Sequence, residues 1–496
     1  MTDGAIRSIV VVGGGIVGLS AALAFAHALP QARVEVIETP SDPAALADRM
    51  PSTLPATAHF HARIGIDETE LIRRGIALHR LGTRFEHWSA DGSTWIHAFG
   101  DYGRPVGGIG FHDLWLRARR ARQALAYDRY SAAAMIGEAG RFVHPEDDPR
   151  SPLATYVYGL QLEPTGYRSR LLDAATGAGV FISPGAVAHV EQREGGGLGA
   201  VLLQDGRRAE GDLFVDCAGP RGHLISSVDE SVEDWSSWLP VDRLLVGETT
   251  STVAPASLDA AVATSVGWRW AIPLPERRAF GLAFRSSETE AARARRILSL
   301  EEEGAHGGET VAIRCARRPR PWVRNVLALG DAATAVDPLH GTNLSLAHSA
   351  IERAIELLPG RDFHPLELAE YNRRTEQETL RVRDFLALHY LRSGRTRGEF
   401  WAGLGKRALP GTLARTVEHF LARGRIPFFE EETFEKRSWV AAMIGLGLLP
   451  DHPSAMTGAV PAAEAARAMH AMAATLADLP RRLPPYSDYL TRMRRS

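Results

Sequence analysis

The stretch "IVVVGGGIVGLSAALAFAHAL", Ile9 to Leu29, carries the reading of the fold. Its apolar, β-branched opening predicts a strand over Ile9–Val12. A glycine turn follows, and then an Ala/Leu-rich run that predicts a helix. The glycines fall at Gly13, Gly15 and Gly18 and spell G-x-G-x-x-G. Gly13 permits the tight turn, Gly15 lets backbone approach a pyrophosphate, and Gly18 lets the helix pack against the strand. The phosphates would then sit on the positive helix N-terminus. A second strand, "RVEVIETP", ends in Glu38, about 20 residues past the last glycine, where a carboxylate can bind ribose hydroxyls. The alternative is a Gly-rich turn that binds nothing. Strand, turn, helix, strand and acid in that order favour a dinucleotide site.

Which dinucleotide is decided far downstream, by "NVLALGDAATAVDPLHGTNLSLAHSAIERAIELL", Asn325 to Leu358. A strand over Val326–Leu329 runs into Gly330-Asp331, and an amphipathic helix starts near Asn343. The pattern resembles that of two-dinucleotide-binding-domain flavoproteins, in which a G-D at such a strand end places the Asp beside the ribityl chain and the helix N-terminus faces the flavin pyrimidine. "LFVDCAGPRG", Leu213 to Gly222, reads as a third strand and turn closing the same domain. The three elements favour FAD over NAD.

The chain's 496 residues exceed one ordinary core, so more than one compact unit is expected. With 45% hydrophobic residues, 23% charged and a net charge of −2, the composition is globular. Nothing in that balance favours nucleic acid or an anionic membrane. No signal peptide or membrane span is recognisable, and two cysteines suit a reducing compartment, so the expectation is a cytoplasmic protein without a metal site. The basic run "RRPRPWVR", Arg317 to Arg324, reads as a solvated turn before a strand. "REGGGLGAVLLQDGRRAEGD" reads as a hairpin with a Gly-rich loop.

"GWRWAIPL", Gly267 to Leu274, spends two of the ten tryptophans one residue apart. On a strand Trp268, Trp270 and Ile272 share a face. Pro273 cannot donate to a ladder, so it ends the strand or puts it on an edge. Combined with the FAD elements, W-x-W-x-I-P resembles the signature of the flavin-dependent halogenases, the tryptophan halogenase family. "LGTRFEHW", "FHDLWLRA", "VRDFLALHYLRSGRTRGEFW" and "SWVAAMIGLGLLPDH" also look like family segments, so the resemblance covers nearly the whole chain.

The resemblance implies that reduced FAD, supplied by a separate flavin reductase, reacts with O2. Halide, chloride or bromide, is then oxidised to hypohalous acid, which passes through a tunnel to a small aromatic substrate. A lysine and a glutamate of the family assist that delivery. At those places this chain carries Arg80, in "LHRLGTRF", and His340, in "DPLHGTN". A guanidinium donates hydrogen bonds and positive charge but stays protonated; an imidazole can act as acid or base near neutrality. The family loop resembling "GVGEST" reads here as "DRMPSTLP", Asp48 to Pro55. By resemblance Gly13, Gly15, Gly18, Glu38, Val187, Gly330, Asp331, Thr342 and Asn343 hold FAD, with backbone near Thr342 and Asn343 as the halide seat. Trp268, Trp270, His97, Phe99 and Trp439 line the tunnel or the substrate. His97 and Phe99 have packing as the plainer alternative, as do Trp401 and Trp439. Cys217 reads as a small buried hydrophobe.

The fold expected is α/β: an FAD-binding, Rossmann-like two-dinucleotide-binding-domain flavoprotein. Its core is drawn from residues 1–60, 150–225 and 325–360, within a domain of 1–360. Strand-rich substrate-side insertions span 61–149 and 226–324, and a helical substrate-capping region spans 361–496. The activity expected is halogenation of an aromatic, indole-type substrate. A flavin monooxygenase without halide chemistry and a non-catalytic flavin-binding homologue are the alternatives. A monomer or a homodimer is expected.

Overall fold

The computed structural model describes residues 4–249, 254–301 and 308–495. They form two compact units, each assembled from three separate stretches of chain. The first takes Met1–Leu71, Leu162–Leu239 and Val311–Leu380; the second takes Ile72–Gln161, Pro240–Thr310 and Arg381–Ser496.

In the first unit the strand Ser8–Val12 lies inside a six-stranded sheet. It pairs in parallel with Leu213–Asp216, Val11 opposite Val215, and with Arg33–Glu38, Val11 opposite Val36. Val326–Ala328 and Phe181–Pro184 extend the sheet in parallel, and Trp322–Val323 adds an antiparallel edge. A parallel sheet covered on both faces needs a continuous apolar strand, and Ile9 to Val12 are all buried. The helix Ile16–Ala28 is buried from Ile16 through Phe25 and packs against the helix Pro164–Gly177. The latter helix starts on a proline and is capped by Glu163, whose carboxylate accepts from the Gly166 amide at 2.6 Å. The Gly-rich hairpin is present with one strand more: Val187–Gln192, Leu198–Leu203 and Arg208–Glu210 form an antiparallel meander. Its apolar face joins Val10, Val12, Phe214 and Val326 in one cluster.

The basic run meets its expectation only in part: Arg320 and Arg324 are exposed, but its first two arginines are not. Arg317 and Arg318 are buried, not solvated. Arg317 pairs with Glu233 at 2.7 Å and with Glu376. Arg318 donates to the carbonyls of Ala332 at 2.9 Å and Asp229 at 3.0 Å. Carbonyls and carboxylates from other elements of the chain satisfy the guanidiniums, and this is what permits their burial.

The second unit is organised on a seven-stranded sheet. Thr94–Ala98 pairs with Gly82–Glu86, and Gly82–Glu86 runs parallel to Leu258–Ala263. Gly267–Pro273 and Arg278–Phe284 follow as antiparallel neighbours, and then Arg243–Thr249. Glu309–Ala312 closes the order. Pro273 is the last residue of an internal strand, so of its two possible effects it has the first. Leu245, Phe280, Leu282 and Phe284 form a core with Ala294 and Leu298 of the helix Ala291–Glu301. Helices Phe111–Arg120, Ala132–Glu138, Gly411–Arg423, Lys436–Gly445, Ala462–Asp478 and Tyr486–Arg495 belong to this unit, with the last part of the helix Pro365–Leu391. Among the described residues no helix is long and apolar enough to cross a membrane.

Candidate functional site

The glycine turn in the first unit has the geometry its sequence requires. Gly13 sits at φ +117°, and a Cβ there would fall 2.5 Å from the Cys217 carbonyl oxygen. A Cβ on Gly18 would fall 1.8 Å from the Gly13 oxygen. Only glycine allows strand, turn and helix to approach this closely. Glu38 ends its strand beside the turn and is ion-paired with Arg168, whose Nε donates to the Gly14 carbonyl at 2.8 Å. Arg168, invisible to motif reading, thus ties the Glu38 carboxylate to the turn. Val187 is partly buried and packs on the apolar cluster beneath the meander.

The helix N-terminus at the turn carries a side chain of the protein itself. Asp48 Oδ1 accepts from the Val17 amide at 3.0 Å. Burial pushes this carboxyl up to about 6, against the opposing pull of the Val17 and Ile16 amides and of Arg168.

Gly330 and Asp331 follow the strand Val326–Ala328, and the helix Asn343–Glu356 starts at the expected residue. Asp331 Oδ2 accepts from the Ala47 amide at 3.1 Å, and its Oδ1 from Asn343 Nδ2 at 3.3 Å. Burial pushes the Asp331 carboxyl up to about 7, with the nearby Asp48 adding to the rise. Thr342 heads the fourteen-residue helix; its hydroxyl is buried and has no hydrogen-bond partner among the described residues. A buried unpaired donor at the positive end of a helix suits an anion. His340, also buried, stands at φ +65°, outside the helical region, two residues before Thr342.

In the second unit Arg80 is 1% exposed and held by a carboxylate. Its Nε donates to Asp259 Oδ2 at 2.7 Å, and Nη2 approaches the same oxygen at 2.7 Å and Thr83 Oγ1 at 3.2 Å. Gln161 donates to the other oxygen of Asp259. The guanidinium also lies 5.3 Å from the centre of the Phe99 ring. Burial raises the Asp259 carboxyl even though Arg80 opposes it. Neither Asp259 nor Gln161 was singled out from sequence; an acid within the otherwise small, apolar "SLDAAVA" was the available signal.

The nominated aromatic residues of the second unit form one buried column. Trp268 and Trp270 lie 5.8 Å apart on one strand face, and Trp268 Nε1 donates to the Tyr390 hydroxyl at 2.9 Å. Trp88 contacts Trp268 at 5.9 Å and His389 at 6.2 Å. His389 contacts Phe385 at 5.2 Å, and Phe385 contacts both His97, at 5.7 Å, and Trp439, at 5.0 Å. His97 in turn sits against Phe99 at 6.0 Å. Burial lowers His97 to about 3 and His389 to about 4, so both are neutral at physiological pH. Trp439 is further fixed by Glu432, which accepts from its Nε1 at 3.1 Å, and by the Arg381 guanidinium 4.1 Å from its ring. Trp401 donates to the Thr264 carbonyl at 2.7 Å from full burial. A cavity of about 240 Å³ adjoins the column, lined by Trp95, Tyr102, Trp115, Tyr127 and Asp128.

The tryptophan halogenase family model matches residues 8–462. The chain is 26% identical over 489 residues to a tryptophan 6-halogenase of Streptomyces toxytricini, covering 92% of each. It is 27% identical over 506 residues to a tryptophan 7-halogenase of Lentzea aerocolonigenes, covering 93% of each. Among solved structures it is similar to BrvH, a flavin-dependent halogenase from Brevundimonas sp. BAL3, with 34% identity and a TM-score of 0.93 over 98% of this chain and 99% of that one. A flavin-dependent halogenase from Xanthomonas campestris matches at 30% identity and a TM-score of 0.92, over 99% and 98%.

Proposed function

Because this chain belongs to the tryptophan halogenase family, we propose that it uses reduced FAD and O2 to halogenate a small aromatic, indole-type substrate. When bound, reduced FAD supplies the electrons with which O2 becomes the oxidant of halide. Gly13, Gly15, Gly18 and Glu38 hold the adenosine side of the cofactor, and Gly330, Asp331 and Asn343 the ribityl side. Chloride or bromide takes the helix start at Thr342. Arg80, aligned by Asp259 and Thr83, offers charge and hydrogen bonds to the electrophile's oxygen in the role the family gives to lysine. His340 acts as the proton carrier in place of the family glutamate. The buried tryptophan column is a wall, and the aromatic substrate lies on its ring-lined side.

What carries this reading is the start of the helix Asn343–Glu356, where the Thr342 hydroxyl is buried and unpartnered among the described residues. The test supplies the purified protein with FAD, a flavin reductase, NADH, O2 and bromide, and follows an indole panel by mass spectrometry. Brominated indole is expected, with none when bromide is withheld. Arg80 itself favours a second reading, because one carboxylate, Asp259, already takes up its charge. On that reading the oxidant delivers oxygen to the substrate. Products that gain one oxygen and never bromine would select it and overturn the first.

A further inference from the structure

The second glycine of a dinucleotide turn is small so that a pyrophosphate can lie against backbone. Here that space is filled from within. A Cβ built on Gly15 would fall 2.0 Å from Asp48 Oδ2 and 2.7 Å from Oδ1. The same carboxylate accepts from the Val17 amide at 3.0 Å, and the Ile16 amide also bonds to it. It therefore holds the helix N-terminus as an anionic ligand would. A second contact comes from the same short segment. The helix Leu46–Arg49 presents the Ala47 amide to Asp331 Oδ2 at 3.1 Å, at the residue expected to face the ribityl chain. One four-residue turn thus answers both anchor points of the cofactor. It runs into the loop that reads "DRMPSTLP", whose first residue is Asp48 and where the family resemblance calls for glycines.

We propose that Asp48 is a built-in competitor of the FAD pyrophosphate, so that cofactor binds only when the Leu46–Arg49 turn withdraws from the helix N-terminus. The inference rests on the FAD reading above. An amide N–H engaged by Asp48 is not available to a phosphate oxygen, and a carboxylate beside a diphosphate is also repelled by it. Withdrawal frees the amides, the space over Gly15 and the Asp331 carboxylate together. Asp48 is accordingly a positioning residue that sets cofactor affinity without touching substrate.

The test titrates FAD and, separately, ADP into the apo full-length chain, following intrinsic fluorescence, for the native protein, Asp48→Gly and Asp48→Asn. ADP carries the adenosine and the pyrophosphate without the flavin. For Asp48→Gly, FAD and ADP are each expected to bind at least tenfold more tightly. Asp48→Asn, which keeps the side chain's shape and loses its charge, falls between and covers the case in which the glycine variant does not fold. Equal or weaker FAD binding by both variants, with native binding intact, overturns the inference alone. A gain for FAD with none for ADP also overturns it, because the effect then lies at the flavin end. Absence of FAD binding in all three proteins overturns the FAD reading and the inference with it.

Discussion

Arg80 and Asp259 show how a protein keeps a pair of opposite charges in its interior. Asp259 receives bonds from Arg80, Thr83 and Gln161 while buried. Asp259→Ala leaves a buried guanidinium without its counter-ion, and a loss of about 3 kcal/mol or more is expected in urea unfolding. A loss under 1 kcal/mol would show that water or a rearranged acceptor takes the carboxylate's place. Asp331 makes a different prediction. Its folded carboxyl is pushed up to about 7, whereas an unfolded aspartate titrates near 4. The folded chain therefore holds an extra proton between roughly pH 4 and 7. The stability it confers is complete below that window and is lost as the pH rises to 7. In the apo protein, the fall in unfolding free energy between pH 4.5 and 7.5 should be smaller for Asp331→Asn than for the native chain. Parallel pH profiles would show that Asp331 is not the group responsible. Neither partner set was legible beforehand, because a contact between residues 80 and 259 or 47 and 331 leaves no local pattern.

The strand Gly267–Pro273 joins a local pattern to a packing demand that no local pattern reveals. Alternation alone placed Trp268 and Trp270 on one face. What makes room for Trp270 is Gly281 on the neighbouring strand, opposite it in register. A Cβ on Gly281 would fall 2.1 Å from the Trp270 ring and 2.3 Å from the Leu245 carbonyl oxygen. Gly281→Ala is expected to destabilise by about 1–3 kcal/mol and to shift tryptophan emission as the indole is displaced. Unchanged emission and unfolding midpoint would mean the sheet opens at no cost. The glycine turn was the more readable element because strand, turn and helix are contiguous, and their glycine demands arise within six residues. Arg317 goes the other way: a basic residue in such a run looks solvated until Glu233 and Glu376 arrive from elsewhere in the fold.

The molecule as a whole divides into two units, and the glycine turn, Glu38, Gly330-Asp331 and the helix starting at Asn343 all lie in the first. A ligand that binds only the folded state stabilises it by about 2.7 kcal/mol at a hundred times its dissociation constant. FAD is therefore expected to raise the thermal midpoint of the first unit in a concentration-dependent way. For Asp48→Gly the same rise should occur at lower FAD. A midpoint indifferent to FAD at saturating concentrations would count against the cofactor reading.

Residues near one another in the chain were enough for the α/β fold class, the parallel strands and glycine turn, the helix start at Asn343, the signature strand and membership of the tryptophan halogenase family. Their signals are periodicity, glycine spacing and turn chemistry, and these are written in consecutive residues. Chain folding across hundreds of residues was needed to pair Arg80 with Asp259 and Glu38 with Arg168, and to pack His97 and Trp439 about Phe385. A shorter span, the 31 residues from Val17 to Asp48, brings that carboxylate onto the helix start beside Gly15. Hydrogen bonds and charge pairs are short-ranged and indifferent to sequence separation, so which carboxylate reaches which amide is known only once the loops are in place.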